Sequence, residues 1–368
     1  MSPEMNKVSK KSDFPGSLLR NQLFIPFAAL FILLVFNLIA DPSFFKITMS
    51  QSNAGNAVLL GPIITILDNG SELDILAIGM TLVTAATGGQ DISVGAAIAI
   101  AGSTLLRVLC GTNTRPDTLR TTVFAAFLIS VLVAMAFGAF NGMLVAIFKI
   151  QPMVATLILY TAGRSIAAWI NNNELPIIST QASPTFAYYG GYIPGIPIPT
   201  PFFIAAACVV VILLVLKFTN LGLYTQAVGI NESSSRLNGL NPVFIKWLTF
   251  VILGVCVAVA ALIKVSRLSS INYSVIAKDI EMDAILAVAL GGNALSGGKF
   301  NMVASIIGAY VIQMLTTTLY KFQVPSDALP AYKAVVVILL VVFSAPAVRE
   351  KLERMGIGRS KKTGGVRA

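Results

Sequence analysis

The chain has 368 residues, of which 56% are hydrophobic and only 11% charged, with a formal net charge of +10 at pH 7. Because a soluble domain carries about 25% charged residues, this composition excludes an ordinary water-soluble fold. The chain has no histidine, and Cys110, Cys208 and Cys256 lie in or beside apolar segments without paired spacing, so we predict neither a metal site nor a disulfide framework.

Apolar runs that approach or exceed the ~20 residues needed to cross a bilayer recur from residue 22 onward, and one further segment, 281–291, is short. Ten membrane segments are predicted, at 22–40, 73–88, 92–110, 121–148, 151–170, 200–218, 246–264, 281–291, 301–320 and 331–348. The first segment is too long for a signal-peptide core and is predicted to be an uncleaved span. The shorter run at 57–70 carries Asp68 and Asn69 and is predicted to be an interfacial or re-entrant piece. Since lipid offers no partner to an unpaired backbone group, the predicted fold class is all-α, a polytopic transmembrane helical bundle with broken or re-entrant helices.

The distribution of basic residues predicts the topology. Basic tails at 1–21 and 349–368 indicate cytoplasmic termini on either side of a single transmembrane domain, 22–348. The connection 171–199 has no Lys or Arg and is predicted to lie outside, whereas 219–245 is predicted to lie inside. Three bases contradict this scheme, because they fall in a connection that it places outside: Lys264, Arg267 and Lys278.

Two stretches of the sequence resemble each other. Residues 72–94 and 281–303 match at a constant offset of 209 residues, 281 minus 72. Each copy opens on an acidic pair and continues through an apolar segment to a Gly-Gly interruption. The coinciding residues include Glu72 and Glu281, Asp74 and Asp283, Gly88 and Gly297, and Gly89 and Gly298. Since paired Gly-interrupted segments are typical of a transport pathway, we predict that the four glycines break two equivalent membrane helices.

The segment GGNALSGGKF at 291–300 is glycine-rich but does not fit a nucleotide-binding loop. Asn293 stands where that loop needs glycine, and Phe300 stands where it needs Ser or Thr. We therefore expect no ATPase on this chain. The glycines of the segment either form a plain turn between spans or break a membrane helix.

Asp91 lies between two apolar segments, where burying a bare charge costs about 2.5–3.5 kcal/mol. It is predicted to cap the helix that starts at Ile92, to line a pathway, or to do both. Four further residues are polar within otherwise apolar segments and are candidates for a substrate pathway: Asn141, Gln151, Thr156 and Gln313.

The longest polar connection on the predicted inner side is 220–242. Gly229 and Asn231 are predicted to interrupt a first helical stretch, and ESSSRLNGL is predicted to form a short helix closed by Gly239 or Asn241. Such a helix serves either as a docking element for a partner protein or as an ordinary surface helix.

Four segments together carry a family resemblance: LAIGMTLVTAATGGQDISVGAAIAIAG at 76–102, FNGMLVAIFKIQPMVATLILYTAGRSIA at 140–167, TQAVGINESSSRLNGL at 225–240 and DAILAVALGGNALSGGKFNMVASIIGA at 283–309. In order and content they resemble the permeases of ribose-type monosaccharide importers of the ATP-binding cassette class. The second segment is most similar to members that carry ribose or galactofuranose.

The resemblance implies a transport subunit of the bacterial inner membrane rather than an enzyme. It implies a second permease copy or paralogue, separate cassette ATPases that hold ATP and Mg, and an extracytoplasmic sugar-binding protein. It implies no cofactor on this chain and no nucleic-acid partner, only the lipid bilayer around it.

The family's cytoplasmic coupling helix has its counterpart at 225–240 of this chain. The resemblance implies ATPase-coupling roles for Ala227, Gly229, Asn231 and Gly239. Glu232 and Arg236 of the same short helix are further coupling candidates, since Arg236 can pair with a carboxylate across an interface. Ser234-Ser235 stands where relatives usually have Ala-Ala, which bears on the choice of ATPase partner. Gln90 replaces an apolar residue of the usual motif, which bears on sugar selection.

Other classes of protein fit the sequence less well. A branched-chain amino-acid permease is the nearest rival within the same class of importer. A secondary transporter usually needs intramembrane ionisable residues, and this chain offers little beyond Asp91. A membrane-embedded enzyme is disfavoured, since no paired carboxylates or nucleophile motif lie at a depth that suggests chemistry.

Overall fold

The computed structural model describes residues 23–51, 57–179 and 181–344, and within them the chain forms twelve α-helices and one small β-hairpin. In chain order the helices are α1 (Phe24–Ala40), α2 (Pro62–Thr87), α3 (Val94–Cys110), α4 (Val123–Ala146), α5 (Pro152–Ile170), α6 (Thr200–Phe218), α7 (Leu221–Ile230), α8 (Glu232–Leu237), α9 (Pro242–Leu268), α10 (Ile280–Leu290), α11 (Met302–Lys321) and α12 (Leu329–Ser344). Strands β1 (Thr48–Gln51) and β2 (Ala57–Leu60) pair antiparallel between α1 and α2. The predicted tails 1–21 and 349–368 lie outside the described residues.

The predicted helical membrane fold is confirmed. Five helices of the described part are long and apolar enough to cross a membrane: α4, α5, α6, α9 and α11. Shorter apolar helices lie in α1, α3 and α12. Long apolar helices of this kind satisfy every backbone group internally, which is what a lipid environment demands.

The first part of α2 corrects one prediction. The stretch 57–70 is not a separate re-entrant piece, because its residues from Pro62 onward are the first turns of a continuous helix of 26 residues. Proline is favourable in the first turn, where its missing N–H costs nothing. Asp68 is tolerated there because Arg267 of α9 lies 2.9 Å from its carboxylate.

Helix α2 is the centre of the bundle. It packs against α6, α9, α10 and α11, and its residues from Gly70 to Ala86 are all buried. At about 1.5 Å per residue the helix is roughly 39 Å long, enough to span a bilayer. Glu72 and Asp74 are buried and Asp68 is half-buried beside Arg267, so a helix with three carboxylates still fits a membrane protein.

The connections between helices gather at two ends of the bundle. At the end that holds the β-hairpin, hereafter the hairpin end, Tyr192 donates a hydrogen bond to the Leu59 carbonyl at 3.0 Å. The Ile177 amide there donates to the Thr114 carbonyl at 2.8 Å, and Ile177 bridges Ser270. This end therefore collects the connections after α1, α3, α5 and α9.

At the opposite end, hereafter the α8 end, lie the connections after α2, α4, α6 and α10. The amide of Gly298, in the α10–α11 connection, donates to the Ala85 carbonyl in the last turn of α2 at 2.9 Å. Lys246, at the start of α9, pairs with Glu232 of α8 at 2.6 Å. Successive long helices thus run alternately from one end of the bundle to the other.

Candidate functional site

The first break in the bundle follows α2. The helix ends at Thr87, and Gly88 has a φ of +65°, a conformation that side chains other than glycine rarely adopt. A Cβ on Gly88 would lie 2.6 Å from the Ser296 carbonyl oxygen. The chain then runs through residues 89–93 before α3 begins at Val94.

The second break separates α10 from α11 and is held by Asn293. Its amide nitrogen donates to the Val288 carbonyl at 3.2 Å and to the Ser305 hydroxyl at 2.8 Å. Its carbonyl oxygen accepts from the Asn301 amide at 2.6 Å. These bonds give the loop 291–301 a fixed shape at the α8 end, where Asn293 is buried and residues 294–296 are exposed.

The two predicted glycine pairs meet in space. A Cβ on Gly297 would lie 3.0 Å from the amide nitrogen of Gly88, so the two backbones are in direct contact. Gln90 adds a hydrogen bond of 3.3 Å from its amide nitrogen to the Leu295 carbonyl. The residue that departs from the usual motif therefore links the two breaks.

Helix α7 packs on this same contact. A Cβ on Gly229 would collide with the Ala85 carbonyl oxygen and would lie 2.6 Å from the Gly298 amide nitrogen. Gly229 lies inside α7, so the prediction that it interrupts a helix is wrong. The helix continues past it because glycine here supplies close approach rather than a turn, and the helix stops at Asn231 instead. Ala227, two residues before Gly229, is half-buried.

The short helix α8 begins immediately after α7. The Asn231 side chain accepts a hydrogen bond from the Ser234 amide at 2.9 Å and so caps α8. Glu232 pairs with Lys246 at 2.6 Å and more loosely with Arg236 at 3.4 Å. The hydrogen bond from Lys246 lowers the pKa of Glu232 below its ordinary value. Gly239 is exposed just beyond the end of the helix.

A cavity of about 660 Å³ lies beside α8. The end of α2, the α4–α5 connection and α8 all contribute to its wall, and Gln151 lies there rather than in the bundle interior. Lys149, Arg236 and Lys246 face it against a single carboxylate, Glu232, so its rim carries excess positive charge. This arrangement offers an anionic group of another molecule a place beside α8.

Asp91 lies in a hydrogen-bonded cluster at the start of α3. One of its carboxylate oxygens accepts from the Ser93 amide at 2.8 Å and from the Ser93 hydroxyl at 2.6 Å. The other accepts from the Asn141 amide at 3.2 Å, and Asn141 also donates to Ser93. The Thr156 hydroxyl accepts from the Ile92 amide at 3.1 Å. The structure thus brings together Asp91, Asn141 and Thr156 but places Gln313 elsewhere, on α11.

The sequence analysis did not predict a cluster of charged residues near the hairpin end, although it named each residue of that cluster. Glu72 is only 2% exposed and pairs with Lys264 at 2.8 Å and with Arg267 at 2.6 Å. Arg267 also reaches Asp68 at 2.9 Å. Two of the bases that contradicted the predicted topology are therefore neutralised inside the bundle. The signal was their spacing, because Asp68 and Glu72 are one turn apart, as are Lys264 and Arg267.

The second acidic pair of the repeat is also buried in part. Asp283 pairs with Lys333 of α12 at 2.8 Å. Glu281 is 2% exposed and contacts Gly95, where a Cβ would collide with its carboxylate. Buried carboxylates are thus more numerous than Asp91 alone suggested, and they pack between helices rather than along a continuous relay.

Comparison with known proteins gives a consistent result. A family model described as branched-chain amino acid transport system / permease component matches residues 63–345. The galactofuranose transporter permease protein of Escherichia coli is 37% identical, over 86% of this chain and 87% of its own length. The fructose import permease protein of Bifidobacterium longum is 34% identical over 95% of both chains.

A third relative, the ribose import permease protein of Escherichia coli, is 31% identical over 78% of this chain and 86% of its own length. No solved structure matches the chain with statistical significance.

Proposed function

This chain belongs to the family of branched-chain amino acid transport system permease components, and we propose that it is the membrane-spanning subunit of an ATP-driven monosaccharide importer. The observation that carries the proposal is the contact of Gly229 with Ala85 and Gly298, which joins the α8 connection to both helix breaks. A transporter driven by a separate ATPase needs such a mechanical link between its surface and its pathway. Three relatives named for monosaccharides support the class of substrate.

The proposed topology has ten crossings, with both tails in the cytoplasm and the hairpin end outside. Its support is the alternation of the long helices between the two ends, with α10 and the loop 291–301 counted as one broken crossing. The base-free connection 171–199 lies at the hairpin end, and the basic tails assign the α8 end to the cytoplasm. Three bases on helices near the hairpin end, Lys264, Arg267 and Lys321, are paired with acids. The proposed location is the inner membrane of a bacterium.

The proposed partners follow from the same geometry. Helix α8 is presented to a cassette ATPase, since Leu237 is 90% exposed and the neighbouring cavity carries excess positive charge. The chain has no nucleotide-binding loop of its own, so ATP and Mg are assigned to that partner. A second permease copy or paralogue completes the pathway, and an extracytoplasmic binding protein delivers the sugar to the hairpin end.

The proposed mechanism uses the glycine contact as a hinge. ATP-driven movement of the partner shifts α8, and α7 transmits the shift to Ala85 and the loop 291–301. Because Gly88 and Gly297 leave no side chains between the two breaks, a small displacement opens or closes the inner end. Asp91, held by Ser93 and Asn141, keeps the start of α3 fixed while its neighbours move.

A branched-chain amino acid is the second candidate substrate, because the matching family model is described by that transport system. Uptake by cells that lack this chain, compared with complemented cells, separates the candidates. We expect deletion to abolish high-affinity uptake of labelled ribose or fructose and to leave leucine uptake unchanged. Selective loss of leucine uptake would support the second candidate.

The source of energy is tested in the same cells. Uptake through an ATP-driven importer continues when a protonophore collapses the proton gradient, provided that cellular ATP is maintained. It stops when ATP is depleted. The opposite pattern would identify a secondary transporter and would exclude the proposed function.

A further inference from the structure

A second cavity, of about 380 Å³, lies nearer the hairpin end and between helices of both repeat copies. Its wall is formed by α2, α9, α10 and α11 together with the connection that precedes α10. The polar side chains that line it are Asn69, Glu72, Lys264, Lys278, Asp283 and Gln313. Small-molecule sites in proteins measure about 300–1,000 Å³, so this cavity is at the lower end of the range.

The charges of the lining balance one another. Glu72 and Asp283 contribute two carboxylates, and Lys264 and Lys278 contribute two ammonium groups. Glu72 is held by Lys264 at 2.8 Å, and Asp283 is held by Lys333 at 2.8 Å. Both carboxylates of the lining already have partners, which disfavours a cationic ligand.

The lining is rich in hydrogen-bonding groups that have capacity to spare. The one hydrogen bond described for the Gln313 amide nitrogen is a long contact of 3.5 Å to the Thr317 hydroxyl. Lys278 forms no ion pair with any residue that the structure describes and has three N–H donors available. Polar groups of this kind suit a small polyhydroxy solute, and the apolar side chains of Leu73, Val275, Ala277 and Ile280 complete the lining.

We propose that this cavity is a binding site for one monosaccharide within a single copy of the chain, with Gln313 and Lys278 donating to sugar hydroxyls. This inference rests on the proposed function and deepens it by placing the substrate. The cavity lies at the proposed outer end, and the inner end is closed by the contact of Gly88 with Gly297. The structure therefore corresponds to a state that accepts sugar from outside.

Helix α2 connects the cavity to the inner closure. About 22 Å of helix, at roughly 1.5 Å per residue, separates Glu72 from Thr87, and the residues between them up to Ala86 are buried. A rigid helix that carries the cavity wall at one end and the Ala85 contact at the other transmits displacement between them. Helix α2 therefore links the binding of sugar in the cavity to the position of α7.

Cysteine protection tests the site directly. Gln313→Cys is introduced after the native cysteines have been replaced by alanine, and the purified complex with ATPase and binding protein is placed in liposomes. We expect ribose or fructose, whichever the complex imports, to slow modification of Gln313→Cys by a membrane-impermeant thiol reagent at least fivefold. Ser326→Cys, in the exposed connection after α11, is the matched control, and sugar leaves its modification rate unchanged.

Transport assays give a second readout, because a residue with only a structural role would not lower sugar uptake while ATP hydrolysis is retained. We expect Gln313→Leu to lower sugar uptake about tenfold while ATP hydrolysis stimulated by loaded binding protein is retained, because the coupling contacts are untouched. Thr316→Ala is the matched control, because Thr316 lies on the same helix and its hydroxyl donates to the Ile312 carbonyl of that helix. We expect it to leave sugar uptake and ATP hydrolysis unchanged.

The outcomes separate this inference from the proposed function. A wild-type complex that imports no monosaccharide, whether ribose, fructose or galactofuranose, defeats the proposed function itself. If the wild type imports sugar but sugar gives no protection of Gln313→Cys, only the cavity assignment is overturned. Parallel loss of uptake and ATP hydrolysis in a folded Gln313→Leu variant overturns it as well.

Discussion

Gly229 lies against the carbonyl oxygen of Ala85, with no room for even a methyl group between α7 and the last turn of α2. The same Ala85 oxygen accepts a hydrogen bond of 2.9 Å from the Gly298 amide. One carbonyl group thus joins the helix that precedes α8, the end of α2 and the loop between α10 and α11. In the proposed mechanism, movement of α8 reaches both helix breaks through this point.

The first prediction concerns that contact. Gly229→Ala forces α7 away from Ala85, and overpacking of this kind costs about 1–3 kcal/mol. We expect lower thermal stability and loss of most substrate-stimulated ATP hydrolysis. Gly222→Ala is the control within the same helix, since its new methyl group meets its nearest neighbour at an ordinary 3.5 Å. Equal stimulated hydrolysis in the two variants would show that α7 does not transmit the signal.

A second prediction concerns the buried charges near the hairpin end. Glu72→Gln leaves Lys264 and Arg267 without their shared carboxylate, and breaking a buried ion pair costs about 3–5 kcal/mol. We expect a large loss of folded protein, measured by size-exclusion chromatography of a fluorescent fusion after heating. Asp41→Asn, which removes an exposed pair with Lys321, is expected to have no measurable effect. Equal melting curves for Glu72→Gln and wild type would contradict the cluster's structural role.

The pair of Glu232 and Lys246 predicts a defined pH dependence. The pKa of Glu232 is lowered in the folded protein from an ordinary value of 4.5, first by the hydrogen bond from Lys246. The stabilisation is therefore fully present above pH 4.5 and is lost as the pH falls through the folded-state pKa. The difference in melting temperature between wild type and Glu232→Gln should be constant from pH 7 to about 5 and should shrink below 4.5. A difference that grows on acidification would show that folding raises the pKa of Glu232 instead of lowering it.

Labelling of introduced cysteines tests the topology. In a variant without native cysteines, Gln181→Cys at the hairpin end should react with a membrane-impermeant thiol reagent in intact cells. Asn238→Cys at the α8 end is also at an exposed position and should react only after the cells are opened. The reverse pattern would place α8 outside and exclude contact with a cytoplasmic ATPase.

Much of the fold follows from the sequence because apolar length alone decides where a membrane helix exists. The helices α4, α5, α6 and α11 begin and end within about two residues of their predicted segments, since lipid leaves no other conformation. The start of α2 was misplaced because Asp68 and Asn69 look incompatible with lipid in isolation. Only the tertiary partner, Arg267, shows why that turn is buried.

The site was predictable in part. The four glycines and Asp91 stood out as interruptions, but no sequence pattern indicated that Gly88 and Gly297 touch. Long-range contacts of this kind depend on how helices far apart in the chain pack. Gly229 shows the same limit, because a glycine that ends a helix and a glycine that admits a neighbouring backbone look identical in sequence. Glu72 was identified as part of the repeat, but its ion pairs with Lys264 and Arg267 become visible only when α9 packs beside α2.

The most direct test of the account is reconstituted transport. The permease is placed in liposomes with its cassette ATPase, with the loaded binding protein outside and ATP on the ATPase side. We predict accumulation of labelled ribose or fructose that requires ATP, the binding protein and the permease together, while leucine does not accumulate. Sugar accumulation that persists without ATP, or ATP-dependent accumulation of leucine alone, would contradict it.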